Sequence, residues 1–173
     1  QYDHLTGLVN RSLFRDRLVQ GMARSKRMHQ PIGLMLLDLD RFKTVNDTFG
    51  HDMGDELLKA VTERLKVCVR EVDPVARMGG DEFTIILEGV ASEQNILVVA
   101  KRITESIAAP FEIKGHHLSI GISIGITIYP HDDHPIDELL KHADTAMYRA
   151  KQQGGSGFHL HESSGTQSAN LLP

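Results

Sequence analysis

Tryptophan is absent, aromatic residues make up only 5% of the chain, and a single cysteine, Cys68, stands among 173 residues. One thiol excludes an internal disulfide, which fits a reducing compartment. No apolar run approaches the roughly 20 residues that span a bilayer, and Gln1-Tyr2-Asp3-His4 does not open a secretory leader. Positive charge is not in excess either. The net charge of −4 argues against nucleic acid as a partner. No Cys/His spacing matches a zinc site, no phosphate-cradling P-loop occurs, and no internal repeat is visible. The first residue is not methionine, so a piece of a longer protein is expected and these exclusions bind only that piece. The expected location is cytoplasmic, with any membrane attachment left to other segments of the parent protein.

What is present is ordinary globular composition, 40% hydrophobic and 24% charged, enough for one domain with a core. Asn10 can cap a helix that runs to about Met28, with Phe14, Leu18 and Met22 as its apolar stripe. Ile32 to Leu37 is a continuous apolar run and reads as a central strand buried on both faces. After the polar, Gly-punctuated stretch 41–55, Leu58, Val61, Leu65 and Cys68 mark a helix from about Asp55 to Val69, in which Cys68 is a packed core thiol. Val75-Ala76 and Phe83 to Leu87 flank a glycine-containing loop and predict a β-hairpin. Ser92 can cap a helix ending near Ala109, with Ile96, Val99, Ile103 and Ile107 inward. Phe111 to Lys114 reads as a short strand turning at Gly115. Leu118 to Tyr129 alternates without fault and predicts one long strand whose small-residue face admits a close neighbour. Pro135 opens a helix to about Gln153 that buries Leu139, Ala143, Ala146, Met147 and Ala150, and Phe158 to His161 reads as a last short strand. His131-Asp132-Asp133-His134 reads as a solvated loop capping that helix. The expected architecture is α/β (α+β): a five-stranded, largely antiparallel or mixed sheet flanked by helices, with residues 1–161 as the domain and 162–173 as a tail or linker.

Chemistry concentrates in three places. Asp38 and Asp40 end the apolar strand, where a carboxylate is expensive unless a cation compensates it. Asp81 and Glu82 follow Gly79-Gly80 at the hairpin tip, where paired acids suit a divalent cation or solvated turn chemistry. Asn46 both donates and accepts and Asp55 accepts only, a combination that suits a guanine edge or, equally, local turns. If the strand and hairpin are neighbours, the acids meet at one sheet edge in a palm-like nucleotidyl-transfer arrangement.

Five motifs in order then resemble the GGDEF family of diguanylate cyclases over about residues 3–153. They are Asp3-His4-Leu5-Thr6-Gly7-Leu8-Val9-Asn10-Arg11, Asp38-Leu39-Asp40-Arg41-Phe42-Lys43, Asn46-Asp47 with Gly50-His51 and Gly54-Asp55, Gly79-Gly80-Asp81-Glu82-Phe83, and Ala143-Asp144 through Ala150-Lys151. The resemblance implies condensation of two GTP into cyclic di-GMP and pyrophosphate by a homodimer. It implies Mg²⁺ or Mn²⁺ held by Asp38, the Leu39 carbonyl and Asp81, with Glu82 beside the metals and the attacking 3′-hydroxyl. Asn46 and Asp55 would read guanine, with Leu5 near the base. Phe42, Lys43 and Lys151 would contact substrate, the two lysines as phosphate-binding charges. Arg70-x-x-Asp73 resembles the family's inhibitory site for cyclic di-GMP, with Arg24 as a secondary contact.

The family's last helix ends in Lys-x-x-Gly-Arg-Asn, but Gly155 stands here in place of the arginine. A lost charge-assisted hydrogen bond of roughly 1.5–3 kcal/mol predicts GTP binding or turnover reduced about 10- to 150-fold. Asp16-Arg17-Leu18, Leu37 through Lys43 and Ile128-Tyr129-Pro130 resemble GGDEF domains that precede an EAL phosphodiesterase domain, so EAL and sensory domains are expected partners. The alternatives are a weakly active or inactive GTP-binding module that regulates such a neighbour, and a cyclic di-GMP receptor.

Overall fold

The structure, a computed structural model, describes residues 1–162. Asn10 caps the first helix as expected, its side chain accepting from the Leu13 N–H at 3.1 Å. That helix, α1 (Arg11–Met28), leads into strand β1 (Ile32–Asp40). Two helices, α2 (Phe42–Phe49) and α3 (His51–Cys68), separate β1 from the hairpin formed by β2 (Val75–Gly79) and β3 (Glu82–Leu87). Helix α4 (Glu93–Ala108), the strands β4 (Phe111–Ile113) and β5 (His116–Leu118), the long β6 (Gly121–Tyr129), α5 (Ile136–Gln152) and β7 (Gly157–Leu160) complete the order.

The main sheet runs β2-β3-β1-β6-β7. Its first three pairings are antiparallel and the β6–β7 pairing is parallel, so the sheet is mixed and largely antiparallel as expected. Alternate residues of β1 serve opposite faces. Met35, Leu37 and Leu39 join the core with Leu57, Leu65, Ile96 and Ile103, whereas Ile32 and Leu34 join Phe14, Leu18, Leu139 and Ala143. Cys68 is buried in the first of these cores. The close neighbour of the small-residue face is α5: a Cβ on Gly125 would lie 1.9 Å from the Ala143 carbonyl oxygen.

Three expectations need correction. Residues 41–55 are not irregular chain between β1 and a helix at Asp55. They contain all of α2 and the first turn of α3, which starts at His51. Phe42, Val45 and Met53 are too few apolar positions to show a helical period, and Gly50, with φ of +93°, supplies the break between the two helices. Leu118 to Tyr129 is not one strand. Leu118 pairs with Phe111 in a separate two-stranded ribbon, and the long strand begins at Gly121. The alternation continues across the break because Leu118 and Ile120 enter the same core, so it reports burial and not sheet membership.

Nor is the 131–134 loop wholly solvated, since Asp132 is completely buried. Its carboxylate accepts from Thr127 Oγ1 at 2.5 Å and meets His134 Nδ1 at 2.6 Å and His142 Nδ1 at 2.7 Å. Burial works to raise its pKa, but the hydrogen bonds from Thr127, His142 and His134 outweigh it and hold the group below the ordinary carboxylate range. The expected tail falls mostly on 163–173, outside the described residues, while Glu162 pairs with Arg149 at 3.0 Å. No helix among the described residues is long and apolar enough to cross a membrane.

Candidate active site

β1 and β3 set the acids face to face. In their antiparallel register Asp38 lies directly opposite Glu82, and the Leu39 N–H donates to the Asp81 carbonyl at 3.3 Å. Like charges opposite one another destabilise a sheet unless something compensates them. Asp38 carries a burial cost as well. Its pKa is pushed up to about 7, first by burial, then by the hydrogen bond and charge of Asp81, with Lys151 opposing and Glu82 adding to the rise. Asp38 Oδ1 is buried and has no hydrogen-bond partner. A buried, unpartnered carboxylate oxygen beside two further acids fits a divalent cation with oxygen ligands.

The hairpin tip is braced from a direction for which the sequence predicts no role. Arg77 on β2 donates to both oxygens of Asp3, at 3.0 and 3.2 Å, and through Nε to the Gly80 carbonyl at 2.9 Å. Asp3 in turn accepts from the Thr6 N–H and hydroxyl at 2.9 and 2.7 Å. The opening motif is therefore a turn clamped to the signature hairpin. An arginine placed immediately before Met78-Gly79-Gly80 was the only sequence signal for it.

Asp40 is the second residue without a predicted role. It is buried, and its Oδ1 accepts from Ser123 Oγ at 2.7 Å and Lys151 Nζ at 3.2 Å, while Oδ2 accepts from the Ser156 N–H at 2.7 Å. Lys151 also lies 3.5 Å from Asp38 Oδ2, so its ammonium stands among the acids. Gly155 has a φ of +73°, and a Cβ there would sit 2.7 Å from Asp40 Oδ2. The loop after α5 is thus fitted around Asp40. Arg149 turns away from the acids toward Glu162 and does not replace the missing arginine.

The remaining candidates line α2 and α3. α2 starts two residues after β1 ends, and the first N–H groups of any helix lack intrahelical acceptors, which suits an anion next to the acids. Phe42 is a core residue. The Lys43 side chain is 89% exposed and 2.9 Å from Asp47. Asn46 Oδ1 is buried without a partner against Gly54, where a Cβ would fall 1.8 Å from it, and exposed Asp55 is the next residue. Leu5 is half-buried against the core on that side of the sheet.

Arg70 and Asp73 form a separate, well-satisfied corner. Arg70 donates to Asp73 from its backbone N–H at 2.9 Å, from Nε at 3.2 Å and from Nη2 at 2.9 Å, and Nη2 also reaches the Glu88 carbonyl. The Asp73 side chain is only 2% exposed and the Arg70 side chain 51%, so a buried carboxylate holds a half-exposed guanidinium. Arg24 binds the Glu88 carboxylate, and Arg24, Asp73 and Glu88 line a cavity of about 430 Å³.

A family model described as "Diguanylate cyclase, GGDEF domain" matches residues 1–157. The bifunctional diguanylate cyclase/cyclic di-GMP phosphodiesterase MucR of Pseudomonas aeruginosa is 42% identical over 94% of this chain. The cyclic di-GMP phosphodiesterase NbdA of the same organism is 37% identical over 89%. The chain spans only 24% and 20% of those two proteins. The solved GGDEF domain of TpbB from P. aeruginosa superposes with a TM-score of 0.91 at 37% identity, covering 94% of this chain and 95% of that one. Family model, relatives and fold agree with the acid edge: the chain belongs to the GGDEF family of diguanylate cyclase domains.

Proposed function

We propose that this chain condenses two GTP molecules into cyclic di-GMP, releasing two pyrophosphates. The observation that carries the reading is the unpartnered Asp38 carboxylate opposite Glu82 and beside Asp81, at the foot of the α2 N-terminus. Asp38, Asp81 and the Leu39 carbonyl hold the cation, Mg²⁺ or Mn²⁺. When bound, it neutralises triphosphate charge and acidifies the attacking hydroxyl. The first-turn N–H groups of α2, from Phe42 onward, and the ammonium groups of Lys43 and Lys151 hold the phosphates. Phe42 contributes through its backbone, since its side chain is in the core. Asn46 and Asp55 read the guanine edge, with Leu5 packing near the base.

Glu82 takes the proton of the ribose 3′-hydroxyl as that oxygen bonds to the α-phosphorus of a second GTP and pyrophosphate departs. The ring closes when the reciprocal bond forms. Each chain presents one such acid edge among its described residues, so two copies face each other across a two-fold axis. Positioning and charge stabilisation supply most of the acceleration.

Gly155 lowers the rate without abolishing it, because the acids and both lysines remain. Arg70 and Asp73, with Arg24, bind cyclic di-GMP and give product inhibition, Arg70 offering planar donors that Asp73 already orients. Mixing GTP, Mg²⁺ or Mn²⁺ and concentrated protein should yield cyclic di-GMP, and Glu82→Gln should not. Retained GTP with no product favours the second reading, a GTP-binding module that controls an adjacent EAL domain. Gly155 and the likeness to NbdA support that reading.

A further inference from the structure

The buried Asp132 has no part in the GTP site, yet four side chains from four separate stretches converge on it. Thr127 comes from β6, His134 from the β6–α5 loop, His142 from α5, and His161 from just past β7. The ligand atoms of Asp132, His134 and His142 all lie within 4.8 Å of one another. His161 Nδ1 is 4.0 Å from Asp132 Oδ2, and its ring stacks on that of His142 at 4.1 Å with 5° between planes. We propose that Asp132, His134 and His142 form a second metal site, for a transition-metal dication of the Zn²⁺ type, with the His161 ring packed on His142 as its support.

The donor set selects the ion. Two imidazoles and one carboxylate are a zinc complement that leaves the fourth tetrahedral position to water, whereas Mg²⁺ takes oxygen ligands. The site would therefore discriminate against the cation that serves GTP. Bonds of about 2.0–2.1 Å to a tetrahedral ion place neighbouring ligand atoms about 3.3 Å apart. His134 Nδ1 and His142 Nδ1 lie 2.6 and 2.7 Å from the Asp132 carboxylate and all three ligand atoms lie within 4.8 Å of one another, so the side chains must open slightly around Asp132 to admit the ion. The half-exposed His134 leaves a route from solvent, while the backbone under Asp132 is fixed by its N–H bond to the Ile128 carbonyl at 2.8 Å.

A second observation lies directly behind the cluster. His159, two residues before His161, is buried with both ring nitrogens unpartnered. It lines a cavity of about 220 Å³ with His161, Arg149 and Glu162. That neighbourhood is an imidazole-rich pocket adjoining the proposed ligands, with the His159 ring nitrogens unpartnered in it. The Glu162 carboxylate, paired with Arg149, offsets the one nearby guanidinium. Along α5, His142 precedes Lys151 by nine residues, about 13 Å at the helical rise. The two cation sites are accordingly separate, joined by one helix.

The test uses the untagged chain, stripped with a chelator and dialysed into excess Mg²⁺. Co²⁺ titration should then give tetrahedral d–d absorption saturating at one ion per chain, and Zn²⁺ should displace it and raise the melting temperature. His134→Ala on the loop and His142→Ala on the helix should each weaken Co²⁺ binding by about 100-fold or more, beyond the loss typical of outer-sphere partners. Circular dichroism checks that both variants fold. Asp38→Asn should leave the Co²⁺ spectrum unchanged. Absence of a saturable spectrum, or a spectrum unaffected in both histidine variants, overturns the proposal.

Discussion

Asp38 and Asp40 are two residues apart on the same strand, face the same side and share the same lysine, yet they live in opposite conditions. Asp40 has every oxygen engaged: Ser123, the Ser156 N–H and Lys151 enclose it. Asp38 has one oxygen buried and unpartnered, a glutamate opposite, a second aspartate beside it and a pKa pushed up to about 7. On the proposed function, the difference separates a residue that completes the fold from one that waits for a ligand. A protein tolerates a half-satisfied buried carboxylate where function supplies the missing partner. Asp40 holds the loop after α5 and the Lys151 ammonium in place, and so builds the wall of the site that Asp38 occupies.

The largest predicted contrast is catalytic. Asp38→Asn should lower cyclic di-GMP formation by about 100-fold or more, because cation-assisted charge stabilisation contributes several kcal/mol. The same substitution should behave oppositely in stability. The folded pKa of Asp38 lies above its ordinary value of 3.8, so the folded state binds the extra proton and stability is lost as pH rises toward about 7. In chelator-treated protein, thermal melts from pH 4 to pH 8 should show the wild type losing on the order of 1–2 kcal/mol relative to Asp38→Asn, after allowance for solvent screening. A parallel pair of curves would break the comparison.

Asp40→Ala should do the reverse: a loss of about 1–3 kcal/mol in stability from unpaired Ser123 and Ser156 groups, at any pH where the wild type is folded. Its effect on turnover should be smaller than that of Asp38→Asn, read as a rise in KM for GTP as Lys151 loses its anchor. Arg70→Ala should relieve product inhibition, seen as progress curves that no longer flatten as cyclic di-GMP accumulates. It should also destabilise by about 1–3 kcal/mol, since buried Asp73 keeps only a backbone donor. The smallest effect is expected at the loop itself. Gly155→Ala should cost about 1 kcal/mol in a denaturant melt, because φ is positive there and Asp40 occupies the space of a Cβ. For the same reason Gly155→Arg should restore less activity than the missing charge alone would suggest.

Much of the site was legible because its chemistry is local. Glycines beside acids at a turn, and an acid ending an apolar run, announce themselves without any tertiary information. The hairpin and a five-stranded, largely antiparallel or mixed sheet were legible too, but the strand order β2-β3-β1-β6-β7 was not. What stayed hidden depends on partners distant in sequence. Nothing near Asp40 indicates that Ser123 and Ser156 will meet it, and nothing near Arg77 indicates Asp3. Helix α2 was missed because its polar, glycine-bounded sequence has the composition of turns. Asp132 was read as solvated because its partners, Thr127, His142 and His161, arrive from other elements. Gly54 shows the same limit: its need to lack a side chain comes from Asn46 on a different helix.

The central claim is that the Asp38–Glu82 edge performs cyclase chemistry. It is tested most directly by measuring cyclic di-GMP formed from GTP and Mg²⁺ by concentrated wild-type protein, by Asp38→Asn and by Glu82→Gln. Product from the wild type, rising faster than linearly with protein concentration and lost in both variants, is the predicted result. Bound GTP with no cyclic di-GMP from any of the three proteins would contradict it.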